Sequence, residues 1–324
     1  MELVLDIIII IAGIALVLWG ADRMTDGAVS IARRLRIPQM VIGLTIVALG
    51  TSMPELCISL VSALKGTSDL AVGNVVGSNI FNTLLIVGVA ALVAPITILR
   101  STVTKDMPWS VLAGILLIAL CFDKNIGRID AFILFAVFIL FMVYTLWQAK
   151  KGKPEASTET TKEEMPIWKS SFFVILGLSC LVLGSNLFVN SATDVARALN
   201  VSDAVIGLTI VAGGTSLPEL ATSAVAAKKG QSAIAIGNVI GSNVYNVLLI
   251  LGLTGIICPM ETKDIHMEDY GLMTLSMVLL WLFSFTRYKV ERWEGLVLTV
   301  IFITYIVWLV FNAVSPAAAQ AILN

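Results

Sequence analysis

The residues best suited to chemistry stand in two six-residue strings, GTSMPE at 50–55 and GTSLPE at 214–219. Each sets a glutamate, Glu55 or Glu219, into an otherwise uncharged apolar run, directly behind a proline. Ionisable groups at membrane depth are costly and mark functional sites. Thr45, Ala48, Thr51, Ser52 and Glu55 recur every three or four residues and so share one helix face, and Thr209, Ala212, Thr215, Ser216 and Glu219 repeat the arrangement. Gly50 and Pro54 bracket the hydroxyls, which predicts a kinked or unwound backbone. Pro54 has no N–H and frees a carbonyl one turn earlier. At membrane depth such a carbonyl is tolerated only beside protein, water or a ligand.

A second stripe follows in each half: Asn74, Ser78 and Asn82, then Asn238, Ser242 and Asn246, at i, i+4 and i+8. Taken singly, such residues are interhelical hydrogen-bond partners. The interleaved pairs Gly73/Gly77 and Gly237/Gly241 read as close helix packing that brings the stripes together. The assembled faces offer two carboxylates, hydroxyls, amide oxygens and bared carbonyls. Oxygen-only donors suit a hard cation such as calcium or sodium and poorly suit zinc or copper, which favour nitrogen and sulfur. Two nearby carboxylates repel each other; calcium would neutralise both, and sodium ions or protons could replace it. Competition for one charged site is the simplest basis for exchange.

The positioning elements follow from composition. The chain has 324 residues, 58% hydrophobic and 13% charged, with a mean hydropathy of +0.94. A soluble domain is about half apolar and a quarter charged, so this is an integral membrane protein, and the class is all-α. Alternating strand patterns of an outer-membrane barrel are absent. Ten transmembrane helices are expected at 3–33, 38–64, 70–94, 107–122, 129–149, 168–198, 202–227, 233–257, 270–286 and 293–313. The first is read as a retained helix, since it lacks the positive n-region and cleavage pattern of a signal peptide. The hydrophilic stretch 150–167 reads as a mobile linker. Cys57, Cys121, Cys180 and Cys258 are scattered and read as apolar fillers, and His266 is the only histidine, in a polar connection. A net charge of −1 gives no argument for nucleic acid. No permanent cofactor and no obligate protein partner is implied.

A shift of 164 residues superposes the halves: 41–56 match 205–220 at 14 of 16 positions, and 73–82 match 237–246 at 7 of 10. The chain therefore divides into a first five-helix repeat at 1–149, the linker, and a second repeat at 168–324, with motif regions at 41–82 and 205–246. Five spans is an odd number, so the second repeat must enter the bilayer inverted, with helices 2 and 7 broken at the site. Connections on the linker side hold 16 of the 21 Lys and Arg, so the linker is expected to be cytoplasmic and both termini outside. Arg33, Arg34, Arg36, Lys150, Lys151, Lys228 and Lys229 read as cytoplasmic anchors. Inverted repeats recur in secondary transporters, with the site near the midplane.

GTSMPE with GNVVGSNIFN, and GTSLPE with GNVIGSNVYN, resemble the two α-repeats of the sodium/calcium exchanger family, within the calcium/cation antiporter superfamily. The likeness runs along essentially the whole chain and is to compact prokaryotic members, without the large regulatory domain of animal exchangers. It implies a calcium and sodium antiporter of the cytoplasmic (inner) membrane that works by alternating access, the long first and sixth spans sliding as a gating pair. It implies Glu55 and Glu219 as central cation ligands, with oxygens from Thr51, Ser52, Thr215 and Ser216 and the carbonyls of Ala48 and Ala212. Ser78 and Ser242 would complete outer sodium sites, and Asn82 and Asn246 would flank the centre. In some relatives an aspartate stands at the place of Asn246. Asparagine here resembles potassium-independent members, and no third central carboxylate carries over.

Three other readings remain in view. A calcium/proton antiporter usually has the acid after the asparagine, in a GNxxE pattern, where this chain has GSN. An intramembrane protease needs GxGD-type aspartates, a Ser/His dyad or HExxH, and none is present, so no enzymatic role is expected. A passive cation channel commonly builds its path between subunits, whereas the duplication supplies two half-sites in one chain.

Overall fold

The computed structural model describes residues 2–151, 165–198, 210, 212–262 and 265–313. Thr209, most of the expected seventh span before Ala212 and most of the linker lie outside the described residues. In hydrocarbon every backbone N–H must find its partner within the segment, and the apolar runs accordingly fold as helices. α1 is Glu2–Leu35. α2, Gln39–Thr51, meets α3, Met53–Leu64, at a 45° bend. α4 is Ser68–Val93, α5 Thr102–Leu120 and α6 Arg128–Lys151. In the second half come α7, Ile167–Ala198, α8, Ala212–Thr215, and α9, Leu217–Lys228. α10, Ser232–Ile257, α11, Met267–Phe285, and α12, Arg292–Ala313, complete the order.

Among the described residues, seven helices are long and apolar enough to cross a membrane, or eight if α2 and α3 count as one bent span. The expected ninth span coincides with α11, which is not among those seven. α4 and α10 form the interior, 72% and 78% buried over their apolar windows, whereas those of α1 and α12 are 17% and 22% buried. The peripheral helices turn side chains such as Ile8, Ile11, Leu296 and Ile303 outward, the surface that lipid covers.

α1 and α7 pack along a seam of small residues. A Cβ on Gly13 would stand 2.8 Å from the Gly184 carbonyl oxygen, one on Gly20 2.8 Å from that of Gly177, and one on Gly27 2.6 Å from that of Ser170. The numbers rise on one helix as they fall on the other, so the two run antiparallel. α10 seats on α2 by the same device. Cβ atoms on Gly237 and Gly241 would come within 3.0 Å of Met40 O and 2.9 Å of Leu44 O. For the matching pair in the first half, among the described residues Gly77 meets no heavy atom within 4 Å and Gly73 meets Ile265 at 3.2 Å. Its partners by the repeat would be Ala204 and Leu208, outside the described residues.

Two short ribbons join the halves. β1, Ile96–Thr97, pairs antiparallel with β4, Lys289–Val290, and β2, Asn125–Ile126, pairs with β3, Met260–Glu261. Ile96↔Val290 and Met260↔Ile126 are the same contact carried by the 164-residue shift, which takes Ile96 to Met260 and Ile126 to Val290. Lys229, read from the sequence as an anchor, instead spans to α1, with Nζ 2.6 Å from Asp22 and 2.8 Å from Asp26. Sequence periodicity also gives no sign of the π-helical turns at Gly43–Val47, Phe81–Ile86, Thr102–Asp106 and Tyr245–Leu251. One of them is steadied from outside, where Trp281 Nε1 donates to Val103 O at 2.7 Å.

The seam makes a stability prediction. Gly177→Leu drives a side chain into Gly20 O, 2.6 Å from its Cβ, and overpacking of this kind costs about 1–3 kcal/mol. Gly271→Ala, with nothing within 4 Å among the described residues, serves as the control. Thermal denaturation in detergent should show a clear loss for the first and little for the second.

Candidate functional site

The helix break sets the site. α2 ends at Thr51, Ser52 sits between the helices at φ −85°, ψ 5°, and Pro54 falls in the first turn of α3. Proline is tolerated there because a first-turn N–H has no helical partner. Ser216, at φ −91° and ψ 7°, and Pro218 repeat this between α8 and α9. Glu55 and Glu219 therefore lie in the first turn of a helix in each half, where backbone N–H groups favour negative charge.

Both carboxylates are buried, Glu55 at 0% exposure and Glu219 at 1%. Each is held from the other half: Ser52 Oγ donates to Glu219 Oε1 at 3.2 Å, and Ser216 Oγ to Glu55 Oε1 at 3.4 Å. The remaining oxygens, Glu55 Oε2 and Glu219 Oε2, have no hydrogen-bond partner among the described residues. No lysine or arginine among the described residues pairs with either glutamate. Two carboxylates without a basic partner leave room for a mobile cation.

An inner ring of hydroxyls and amides fixes this frame. Asn238 accepts from Thr51 Oγ1 at 3.0 Å and donates to Ser223 Oγ at 3.1 Å and to the Glu219 carbonyl at 3.5 Å. Asn74 mirrors it, donating to Ser59 Oγ at 3.0 Å and to the Glu55 carbonyl at 3.3 Å. Ser216 also reaches Ser78 Oγ at 3.5 Å. The structure thus forms two buried networks, one joining Thr51, Ser52, Asn238 and Glu219 and the other joining Ser78, Ser216, Asn74 and Glu55, each drawing on both halves.

The other expected residues stand differently. Ser242 Oγ and both side-chain polar atoms of Asn82 are buried without partners among the described residues. Asn246 is anchored by its Nδ2, which donates to Asn79 Oδ1 at 3.0 Å. Thr215 is buried and Ala212 opens α8. The Ala48 carbonyl is engaged rather than bared: it accepts from Ser52 N at 3.0 Å and from Thr51 Oγ1 at 3.4 Å, because helical bonding persists up to the break. Ser59, Ser223, Asn79 and Asn243 were not singled out from the sequence as site residues. Their recurrence at the 164-residue shift was the available signal. Among the described residues no group of three or more His, Cys, Asp or Glu is placed to hold a metal.

Membrane-length helices around an uncompensated carboxylate pair define the class: a multi-pass membrane transporter of cations. The family model described as sodium/calcium exchanger protein matches twice, at residues 5–147 and 169–311. CaxA of Alkalimonas amylolytica is 38% identical, over 92% of this chain and 96% of that protein. The sodium/calcium exchanger MaX1 of Methanosarcina acetivorans is 31% identical, over 94% and 99%. The structure of the sodium-calcium exchanger NCX_Mj soaked with 2.5 mM Na+ and 0.1 mM Ca2+ superposes with a TM-score of 0.81 at 31% identity, covering 94% of this chain and 98% of that one. The chain belongs to the sodium/calcium exchanger family, as a compact prokaryotic-type member, and is a cation antiporter rather than an enzyme.

Removal of the amide that braces the break should be visible in stability. Asn238→Ala removes the bonds to Thr51, Ser223 and the Glu219 carbonyl in a dry interior, leaving each hydroxyl bonded to a carbonyl of the chain, and each lost bond costs about 0.5–1.5 kcal/mol. A lowered melting temperature of the purified protein in detergent is the expected result.

Proposed function

We propose that this protein is a secondary active antiporter exchanging calcium for sodium across the cytoplasmic membrane by alternating access. The observation that carries this reading is the pair of buried glutamates, each bonded to a serine of the opposite half, with one oxygen of each left open. A buried charge is stable only when paired and hydrogen-bonded. A dication bound between the two supplies the missing charge, and its departure requires replacement by sodium ions or protons. Thr51, Ser52, Thr215 and Ser216 complete the centre, Ser78 and Ser242 lie on the sodium path, and Asn82 and Asn246 flank it. The Ala212 carbonyl fills a remaining position, whereas that of Ala48 is already taken by Ser52 N and Thr51 Oγ1. Membership of the sodium/calcium exchanger family and the likeness to the soaked sodium-calcium exchanger favour calcium and sodium over other cations.

The architecture of this reading is ten spans in two inverted repeats, 1–149 and 168–324, with helices 2 and 7 broken at the site, both termini outside and the 150–167 linker cytoplasmic. Antiparallel packing of α1 against α7 supports opposite insertion of the halves. The ribbons support the sidedness: β1 and β4 belong to connections expected inside, β2 and β3 to connections expected outside.

In vesicles, an opposed sodium gradient should drive calcium uptake, and Glu55→Gln or Glu219→Gln should abolish it while the protein remains monodisperse. Equal accumulation under a proton gradient alone would refute sodium coupling and favour the proton antiporter. Protons bind the same carboxylate oxygens, so uptake should fall as the medium is acidified; a rate flat from neutral to acid pH would argue against competition at these groups.

A further inference from the structure

The two halves are not equivalent at one pair of asparagines, and the difference has a chemical direction. Asn79 and Asn243 are the last residues of the two GSN strings, both buried, and Asn79 Nδ2 donates to the Asn243 carbonyl at 3.3 Å across the junction of the repeats. Asn246 Nδ2 donates to Asn79 Oδ1 at 3.0 Å, and its own Oδ1 is buried without a partner among the described residues. The mate of this bond by the repeat would run from Asn82 Nδ2 to Asn243 Oδ1. It is not made: both atoms are without partners among the described residues. Asn243 instead gives its Nδ2 to Thr83 Oγ1 at 2.8 Å, a hydroxyl whose counterpart in the second half is Val247.

An amide side chain can present either an oxygen or an NH2 group to its surroundings, and only the oxygen attracts a cation. We propose that Asn79 is a positioning residue which, by engaging the NH2 group of Asn246, holds Asn246 oxygen-forward as a cation donor, while Asn82 is left free to turn. Asn246 stands one turn beyond Ser242 on α10, on the polar stripe that carries Asn238. The inference rests on the proposed reading that this stripe lines the calcium path. In this arrangement the second half supplies a fixed amide oxygen and the first half an adaptable one, so Asn79 tunes calcium affinity without itself touching the ion.

The test exploits the fact that a carboxylate has no wrong face. Sodium-driven calcium uptake is measured for the full-length chain in vesicles, with and without Asn79→Ala, in the native and in the Asn246→Asp backgrounds. Loss of one orienting hydrogen bond should raise the calcium KM about tenfold with little change in maximal rate. In the Asn246→Asp background, where both outward atoms are oxygens, Asn79→Ala should leave KM within about twofold, the signature of coupling between the two positions. An unchanged KM for Asn79→Ala, or an equal penalty in both backgrounds, overturns the proposal, the second outcome meaning that Asn79 is only a packing residue. If Asn246→Asp does not turn over, calcium binding to the detergent-purified variants reads the same ratio as Kd. If Asn79→Ala cannot be purified, Asn79→Ser, too short to reach Asn246, takes its place. Absence of sodium-driven calcium uptake by the unmodified chain would count against the proposed function instead, and is seen in the same vesicles.

Discussion

The constraint on which everything else depends is the burial of two carboxylates with no resident positive charge. Glu55 and Glu219 sit in a helical interior where an isolated ion costs several kcal/mol even after relaxation. Each is eased by a serine from the opposite half and by the first-turn amides of its own helix, and neither receives a basic side chain among the described residues. A protein that needed only stability would replace such a pair with apolar residues of like volume, which is often neutral or stabilising. The break at Ser52, the proline after it and the bracing amides of Asn74 and Asn238 all serve to hold these two groups where they are.

Duplication supplies the economy of this arrangement. One sequence string, inserted in both orientations, generates the crossed bonds Ser52–Glu219 and Ser216–Glu55, the twin amide braces and the two ribbons. Departures from the symmetry are confined to particular side chains. Ser216 reaches Ser78, while Ser242 has no partner among the described residues; Ser185 donates to the Gly214 carbonyl, while the position equivalent to Ser185 is Ala21. A site built from strictly identical halves would treat ions arriving from either side alike, and these substitutions remove that equivalence.

Much of this was legible in the sequence, for identifiable reasons. A charge after Ser-x-Pro within an apolar run is conspicuous because the surrounding composition is so uniform, and the 164-residue shift makes it conspicuous twice. Helical class and the kink at Ser52 follow from hydropathy and from a proline without an N–H. What escaped was long-range or local in ways that periodicity does not encode. The crossing of each serine to the other half's glutamate depends on how α3 and α9 meet. The π-helical turns that begin just before Asn82 and Asn246 leave no compositional mark. Strands of two residues are too short for an alternating pattern. Lys229 looked like one more basic loop residue because its acidic partners lie about two hundred positions away, at separations of 207 and 203.

The ribbons have a mechanical corollary. By stitching β1 to β4 at one end of the bundle and β2 to β3 at the other, the chain ties the connections that bound α5, α6, α11 and α12 into a closed hoop. Among the described residues α1 and α7 enter no such stitch; they are joined to each other by a seam of glycines, and α1 is joined to Lys229, just beyond α9, by ion pairs that salt can loosen. A shift of that antiparallel pair along its seam would break no ribbon hydrogen bond, whereas prying the hoop apart would break them at both ends.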